Sequence, residues 1–164
     1  MEFIVCKEMM EQRGYEIVSV EDAQIVATKQ NGDYIYVFFK ILKINNVKLQ
    51  ELTSIMKDTN INHIIVVYNE SVTPSAKKII SDISAEMVIE LFHINELQYN
   101  ITKHKLQPRF ERLKTHVSFK KTYGRTTQAV LLSTDPIARF YNYRKGDVIR
   151  VVRQDGYVCY RIVK

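Results

Sequence analysis

Four consecutive β-branched residues, Ile64-Ile65-Val66-Val67, constrain this chain more than any other feature. They do not alternate with polar residues, so Ile61–Tyr68 is predicted to be a strand buried on both faces, which needs a covering layer on each side. The neighbouring sequence supplies such layers. Upstream, Leu49, Leu52, Ile55 and Met56 fall on one helical face, after Asn45-Asn46, residues suited to cap a helix. Downstream, Thr73-Pro74 sets a cap residue before a proline at the first helical position, where the missing N–H costs nothing. The helix that follows turns Ala76, Ile79, Ile80 and Ile83 inward and Lys77, Lys78 and Asp82 outward. Met87–Phe92 is a second apolar strand. This helix–strand–helix–strand order over 46–92 predicts parallel pairing with covering helices.

The segment before it reads differently. Glu2–Arg13 is predicted to be a helix stopped by Gly14, and Tyr15–Val20 alternates apolar and polar residues. Ala23–Thr28 and Tyr34–Phe39 flank Asn31-Gly32, a dipeptide suited to the positive φ angles of a tight hairpin. An antiparallel hairpin joined to a parallel pair makes one α/β unit of roughly 100 residues. From Asn100 the texture changes. Ile101–Phe110 is basic, extended and broken at Pro108, and Thr115–Tyr123 is predicted to be a short helix, so the stretch reads as a connector.

The chain closes with another compact pattern. Asp135-Pro136 repeats the cap-plus-proline start, and a short helix carries Ile137, Ala138, Phe140 and Tyr141. Lys145-Gly146-Asp147 is a turn, and Val148–Val152 and Tyr157–Val163 read as strands joined across Gln154-Asp155-Gly156.

Charge divides along the same lines. Residues 1–101 hold nine Lys/Arg against fourteen Asp/Glu, a net of −5, whereas residues 102–164 hold fifteen against four, a net of +11. A reversal of that size suggests two units with different partners. The basic part is either a solvated face or a surface that docks on acidic protein or lies near a phosphate backbone. With 46% hydrophobic residues among 164, the chain is expected to fold as one domain or two small ones. No apolar run reaches the length of a membrane span, and Glu2, Lys7 and Glu8 do not fit a secretory leader. Cys6 and Cys159 have no metal-ligand spacing and are expected to be reduced thiols of an intracellular protein.

Ser133-Thr134-Asp135-Pro136-Ile137-Ala138-Arg139-Phe140-Tyr141, then Arg144-Lys145-Gly146-Asp147-Val148-Ile149-Arg150-Val151-Val152-Arg153, then Tyr157-Val158-Cys159-Tyr160-Arg161-Ile162-Val163 is a long ordered pattern. It resembles the C-terminal assembly domain of the fifth common subunit of eukaryotic RNA polymerases, which has a small counterpart in the archaeal RNA polymerase. The resemblance runs on through Arg13-Gly14-Tyr15, Tyr36-Val37-Phe38-Phe39, Asn69–Ala76 and Asn100–Pro108, in the family's order. Because the archaeal form has only the C-terminal domain, the N-terminal "jaw" points to the eukaryotic type or a viral relative. Three features depart from the family: a shorter N-terminal helical region, a reduced connector before Leu131, and a loop of only Gln154–Gly156 between the last strands.

The resemblance implies an α/β (α+β) protein. A restriction-endonuclease-like jaw with a mixed sheet would span 1–101, a connector 102–124, and a small α+β assembly domain 125–164. It also raises the question of a nuclease. Such a site needs an Asp followed by Glu/Asp-x-Lys on neighbouring strands, because carboxylates hold Mg²⁺ and the lysine polarises water. Tyr34–Lys40 has no carboxylate at the required place, and Asp22 and Asp33 read as turn or cap residues. His63, His93, His104 and His116 lack metal spacing, the five glycines are isolated, and no nucleophile stands in a recognisable context. No catalytic residue, metal or cofactor is therefore expected.

What remains is binding. Asn69, Ser71, Thr73, Pro74, Ser75, Lys77 and Lys78 combine polar groups at a helix start with two cations, and the resemblance places this loop opposite downstream double-stranded DNA. Asp135, Pro136, Arg139, Tyr141, Lys145, Gly146, Arg150, Arg153, Tyr157, Tyr160 and Arg161 form the candidate subunit interface, since guanidinium and phenol groups suit such surfaces. Asp135 and Gly146 also have plain local roles, as cap and turn. The expected function is a non-catalytic subunit of a DNA-directed RNA polymerase, anchored on the largest subunit and lining the downstream DNA channel. Its partners would be the other subunits and transcription factors. Its location would be the nucleus if cellular, or host cytoplasm or virion if viral. The alternatives are a free-standing nuclease-like DNA-processing factor and a subunit paralogue acting as a scaffold outside the enzyme.

Overall fold

The structure is a computed structural model that describes residues 1–114 and 129–164. The chain divides into two compact units, Met1–Tyr99 and Asn100–Lys164. The helix expected over Thr115–Tyr123, and His116 with it, lie outside the described residues.

The first unit runs α1 (Glu2–Gln12), β1 (Glu16–Glu21), β2 (Gln24–Thr28), β3 (Tyr34–Ile44), α2 (Asn46–Asp58), β4 (His63–Val72), α3 (Pro74–Ile83) and β5 (Val88–His93). A 3₁₀ turn, Ile94–Leu97, follows. The strands form one sheet in the order β1-β2-β3-β4-β5, antiparallel through β3 and parallel from β3 to β5. The mixed sheet follows from the sequence pattern: short turns permit only antiparallel neighbours, and the helical crossovers of α2 and α3 permit parallel ones.

Ile64, Ile65, Val66 and Val67 are at most 1% exposed, so β4 is covered on both faces. Ile64 and Val66 pack with Leu49, Leu52 and Met56 of α2 and with Ala76, Ile79 and Ile80 of α3. The alternate face is aligned with Val37 through Ile65, and Phe39 on that face meets Phe3 of α1 with ring centroids 5.0 Å apart. Each fully buried aliphatic side chain in these layers contributes about 1.5–3 kcal/mol.

The helix starts use the residues the sequence offers. The Asn45 side chain accepts from Lys48 N at 2.9 Å, and Thr73 Oγ1 accepts from Ala76 N at 3.3 Å. Gly14 ends α1 at a φ of +82°. The β2–β3 connection is wider than a two-residue hairpin. It spans five residues, Lys29–Asp33, and Gly32 is its one position with positive φ, because Asn31 instead bonds both the backbone and the carboxylate of Asp33.

A bulge in β3 has a larger consequence. Phe38 pairs with Val66 but Ile41 pairs with Tyr68, so β3 carries an extra residue there, and Lys40 takes a φ of +59°. The shift turns Phe39 toward α1 and Ile41 toward α2 and α3.

The second unit contains a 3₁₀ turn (Ile101–Lys103), β6 (Arg109–Arg112), β7 (Ala129–Leu131), α4 (Pro136–Phe140), β8 (Val148–Val152) and β9 (Val158–Val163). Its sheet order is β6-β8-β9-β7. The stretch from 102, expected to be a connector, thus contributes a strand: β6 pairs with β8, placing Phe110 opposite Val151. Phe110, Ile137, Ala138, Tyr143, Ile149, Val151 and Val163 share one core. Gly146, at φ +91°, brings its N–H to Val163 O at 2.9 Å and so ties the turn to the last strand.

Candidate functional site

The polar stretch from Asn69 to Ser75 is the end of a strand and the start of a helix, not a loop. β4 continues to Val72 because the bulged β3 stays alongside it, with Lys43 opposite Ser71 and Ile44 opposite Val72. Asn69 and Ser71 are exposed at alternate positions of that strand, and the exposed Lys43 beside Ser71 adds a cation that the local sequence does not reveal. The Asn69 carbonyl accepts from His93 Nε2 at 2.9 Å. Thr73 is engaged with its own helix, its hydroxyl bonding Ala76 N and lying 3.2 Å from Ser75 Oγ. Pro74, Ser75, Lys77 and Lys78 are exposed. These residues follow one another from the end of β4 into the first turns of α3 and offer hydroxyl, amide and ammonium groups suited to phosphate oxygens.

The eleven residues of the expected subunit interface are not brought together on one surface. Arg161 is opposite Ile149 in register, so it shares the face that α4 and the core cover, and its Nε is buried without a hydrogen-bond partner. Arg150 is opposite Tyr160 on the other face, where it bonds Glu111 at 3.0 Å. Arg109 approaches the same carboxylate at 2.9 Å. Beyond β8, Arg153 lies over the Tyr157 ring, 5.3 Å from its centroid.

Asp135 caps α4, its Oδ1 accepting from Ile137 N at 2.9 Å, with Pro136 in the first turn. Arg139 lies half-buried in the last turn of this short helix, and Lys145 is exposed in the turn. Tyr141 stacks on Tyr143 at 5.3 Å, and burial raises both phenol pKa values, so these rings belong chiefly to the core. Tyr157 is 58% exposed.

A cavity of about 530 Å³ opens in the first unit, lined in part by Glu2, Phe3, Glu21, Asp22, Phe39 and Lys40. Asp22, in the β1–β2 turn, pairs with Lys40 at the β3 bulge. Chemically the pair is a lysine with one carboxylate, while Phe38 and Phe39 precede the lysine. Among the described residues no three His, Cys, Asp or Glu side chains are grouped to hold a metal ion. Asp33 belongs to the β2–β3 turn, as expected. The Cys6 thiol is buried, and burial pushes its pKa up to about 12, so it is neutral and closed to solvent.

Comparison with known proteins fits this geometry. Residues 99–163 match the family described as RNA polymerase Rpb5, C-terminal domain, and residues 4–101 match the family described as Restriction endonuclease. The chain is 33% identical to the "Putative DNA-directed RNA polymerase subunit 454R" of Invertebrate iridescent virus 6, covering 98% of this chain and 96% of that one. It is 30% identical to the "DNA-directed RNA polymerases I, II, and III subunit rpabc1" of Dictyostelium discoideum, over 98% and 88%. The "Uncharacterized protein 092R" of Invertebrate iridescent virus 3 is 31% identical, with both chains covered completely. The chain belongs to the Rpb5 family of DNA-directed RNA polymerase subunits.

In this Rpb5-family chain the first unit has the restriction-endonuclease type of fold, a mixed sheet between helices. Sequence reasoning did not find its most deeply buried charges. Arg13, the residue that closes α1, forks onto Glu90 of β5, and His63 at the start of β4 reaches the same carboxylate at 2.5 Å. Burial disfavours the Glu90 charge, but the Arg13 guanidinium and the His63 hydrogen bond prevail and hold its pKa at about 2. Glu90 alone had a visible signal, a carboxylate within an otherwise apolar strand.

Proposed function

We propose that this chain is a non-catalytic subunit of a DNA-directed RNA polymerase, anchored by its C-terminal unit on the largest subunit, with its N-terminal unit as a jaw along downstream DNA. The observation that carries this reading is the end-to-end match to a relative bearing a polymerase-subunit name, 98% of one chain on 96% of the other. Charge supports the division of labour. Asn100–Lys164 holds fifteen Lys/Arg against four Asp/Glu and suits an acidic protein surface, whereas Met1–Tyr99 holds nine against fourteen. A net negative jaw guides DNA through local groups, and Asn69, Ser71, Ser75, Lys77 and Lys78 supply them without reading sequence. Lys43 joins that set. The other polymerase subunits are its partners, transcription factors are candidate partners of the jaw, and its location is that of the enzyme: nucleus for a cellular source, host cytoplasm or virion for a viral one.

Affinity purification of the tagged full chain tests this reading. Co-elution of the two largest polymerase subunits in stoichiometric amounts is the expected result, and recovery as a free monomer under gentle conditions overturns it. A second reading, a free-standing nuclease-like factor, draws on the restriction-endonuclease match and the Asp22–Lys40 pair. It requires Mg²⁺-dependent cleavage by the purified chain.

A further inference from the structure

β1 is an edge strand. Among the described residues it pairs with β2 alone, so its other edge carries backbone donors and acceptors with no strand beside them. It is also unusually apolar for an open edge: Val18 and Val20 are 57% and 47% exposed. A bulge between Ile17 and Ser19 breaks the register, after which Ser19, Val20 and Glu21 pair regularly with Val26, Ile25 and Gln24. That regular end runs into the cavity of about 530 Å³, which Val20, Glu21 and Asp22 line from the β1 side, with Phe3, Phe39 and Val67 among its other walls. A row of backbone hydrogen-bonding groups leading to a hole with an apolar wall (Phe3, Val20, Phe39, Val67 and Ile94) and a charged rim is an arrangement that recognises an added strand: the edge supplies affinity, and the hole selects one side chain.

Charge selects the occupant. Glu16 and Glu21 are exposed along this edge; at the cavity, Asp22 is paired with Lys40 and Glu2 with the N-terminal ammonium of Met1. β1 has no Lys or Arg, and Lys40, the cation among the lining residues, is paired with Asp22. A second copy of the chain would bring the same carboxylates to the same edge, and like charges set opposite one another oppose pairing. We propose that the open edge of β1 and the cavity at its end bind an extended basic segment of a partner protein, which adds as a further strand and lodges an apolar side chain in the cavity, against the packed pair of Phe3 and Phe39. The proposal does not depend on polymerase assembly, since it uses neither the second unit nor α3.

The experiment titrates the full chain with a fluorescein-labelled peptide of alternating Lys or Arg and Val, and with a peptide in which Glu replaces each basic residue. Amide exchange is followed by mass spectrometry. The expected result is saturable binding of the basic peptide alone, with new protection confined to residues 16–22. A Val18→Lys/Val20→Lys variant with an unchanged melting temperature binds about tenfold more weakly. Glu21→Lys, at an exposed position, gives the same direction of change if the double variant folds poorly. Absence of binding, equal binding of the acidic peptide, or protection elsewhere overturns the proposal. So does concentration-dependent protection of β1 without peptide, which assigns the edge to a second copy.

Discussion

Arg13 and Glu90 are joined by two hydrogen bonds of 2.8 Å each, Nη1 to Oε1 and Nη2 to Oε2, across 77 positions of sequence. Their side chains are only 4% and 12% exposed. The fork fastens the end of α1 to β5, the strand at the far edge of the sheet from β1. Removing one partner leaves the other charge buried without compensation, which costs about 3–5 kcal/mol. Arg13→Met is therefore expected to lower the urea midpoint of the full chain severely. The double change Arg13→Met/Glu90→Leu is expected to recover a large part of the loss, because an apolar pair needs no compensation. Equal instability of the single and double variants would show that the pair itself is not the cause.

The same carboxylate makes stability depend on acid. Glu90 titrates near 2 when folded and near the ordinary glutamate value of about 4.3 when unfolded. A lowered folded value means that the contribution is complete above the unfolded value and is lost as pH falls through the folded one. Denaturation midpoints of the wild-type chain are expected to fall between about pH 5 and 2. Glu90→Gln, already weakened at neutral pH, is expected to show a shallower fall over that window. Parallel curves for the two proteins would remove Glu90 from the account.

Asp135 has two candidate roles, and they separate by chemistry. As a cap it accepts from Ile137 N at 2.9 Å, a role asparagine fills equally and alanine does not. Asp135→Ala is expected to cost about 1 kcal/mol in thermal or urea unfolding, and Asp135→Asn close to nothing. If Asp135→Asn keeps stability but weakens co-purification with the large polymerase subunits, the carboxylate also serves the interface. If both properties persist, its role is the cap.

The legible parts of the fold were those encoded within a few residues. Asn45, Thr73 and Asp135 announce their helices because a side chain need only reach a backbone N–H two or three positions on. Ile64–Val67 announces a two-sided strand by the absence of polar alternation. The misread parts take their structure from partners far along the chain. Asn69-Glu70-Ser71 has loop composition, yet it is held as strand by Lys43 and Ile44 across a bulge that nothing local encodes. Arg109–Arg112 is a charged tetrapeptide made into β6 by pairing with Ile149–Val152. The arrangement of the interface arginines is unreadable for a simpler reason: Arg150 and Arg161 lie on adjacent strands, but the register sends them to opposite faces.

That separation gives a test of docking in which unfolding is not mistaken for lost contact. Arg161 lies on the core face with a buried Nε, so Arg161→Glu is expected to cost about 2 kcal/mol of stability. Arg153→Glu, in the exposed turn beside Tyr157, is expected to leave the melting temperature within about a degree or two. If the basic turn docks on the largest subunit, Arg153→Glu reduces co-purification while the chain stays folded. Undiminished assembly by this variant would move the interface away from the β8–β9 hairpin.

The purified full chain is expected to leave supercoiled plasmid intact in Mg²⁺, and Asp22→Ala is expected to change nothing in that assay. Restriction-endonuclease chemistry needs at least two carboxylates around the metal and a lysine free to polarise the attacking water. Here Asp22 of the β1–β2 turn and Lys40 of the β3 bulge form an exposed ion pair, a lysine with a single carboxylate and no second one grouped with it to hold a metal among the described residues. A Glu/Asp-x-Lys series ending at Lys40 would need its carboxylate at position 38, where Phe38 instead packs against the core shared by α2 and α3. Asp33 is held by Asn31 in the β2–β3 turn. Glu2 and Glu21 line the cavity, but together with Asp22 they form no metal-binding group among the described residues. Nicking that requires Mg²⁺ and disappears in Asp22→Ala would overturn this expectation and restore the nuclease reading.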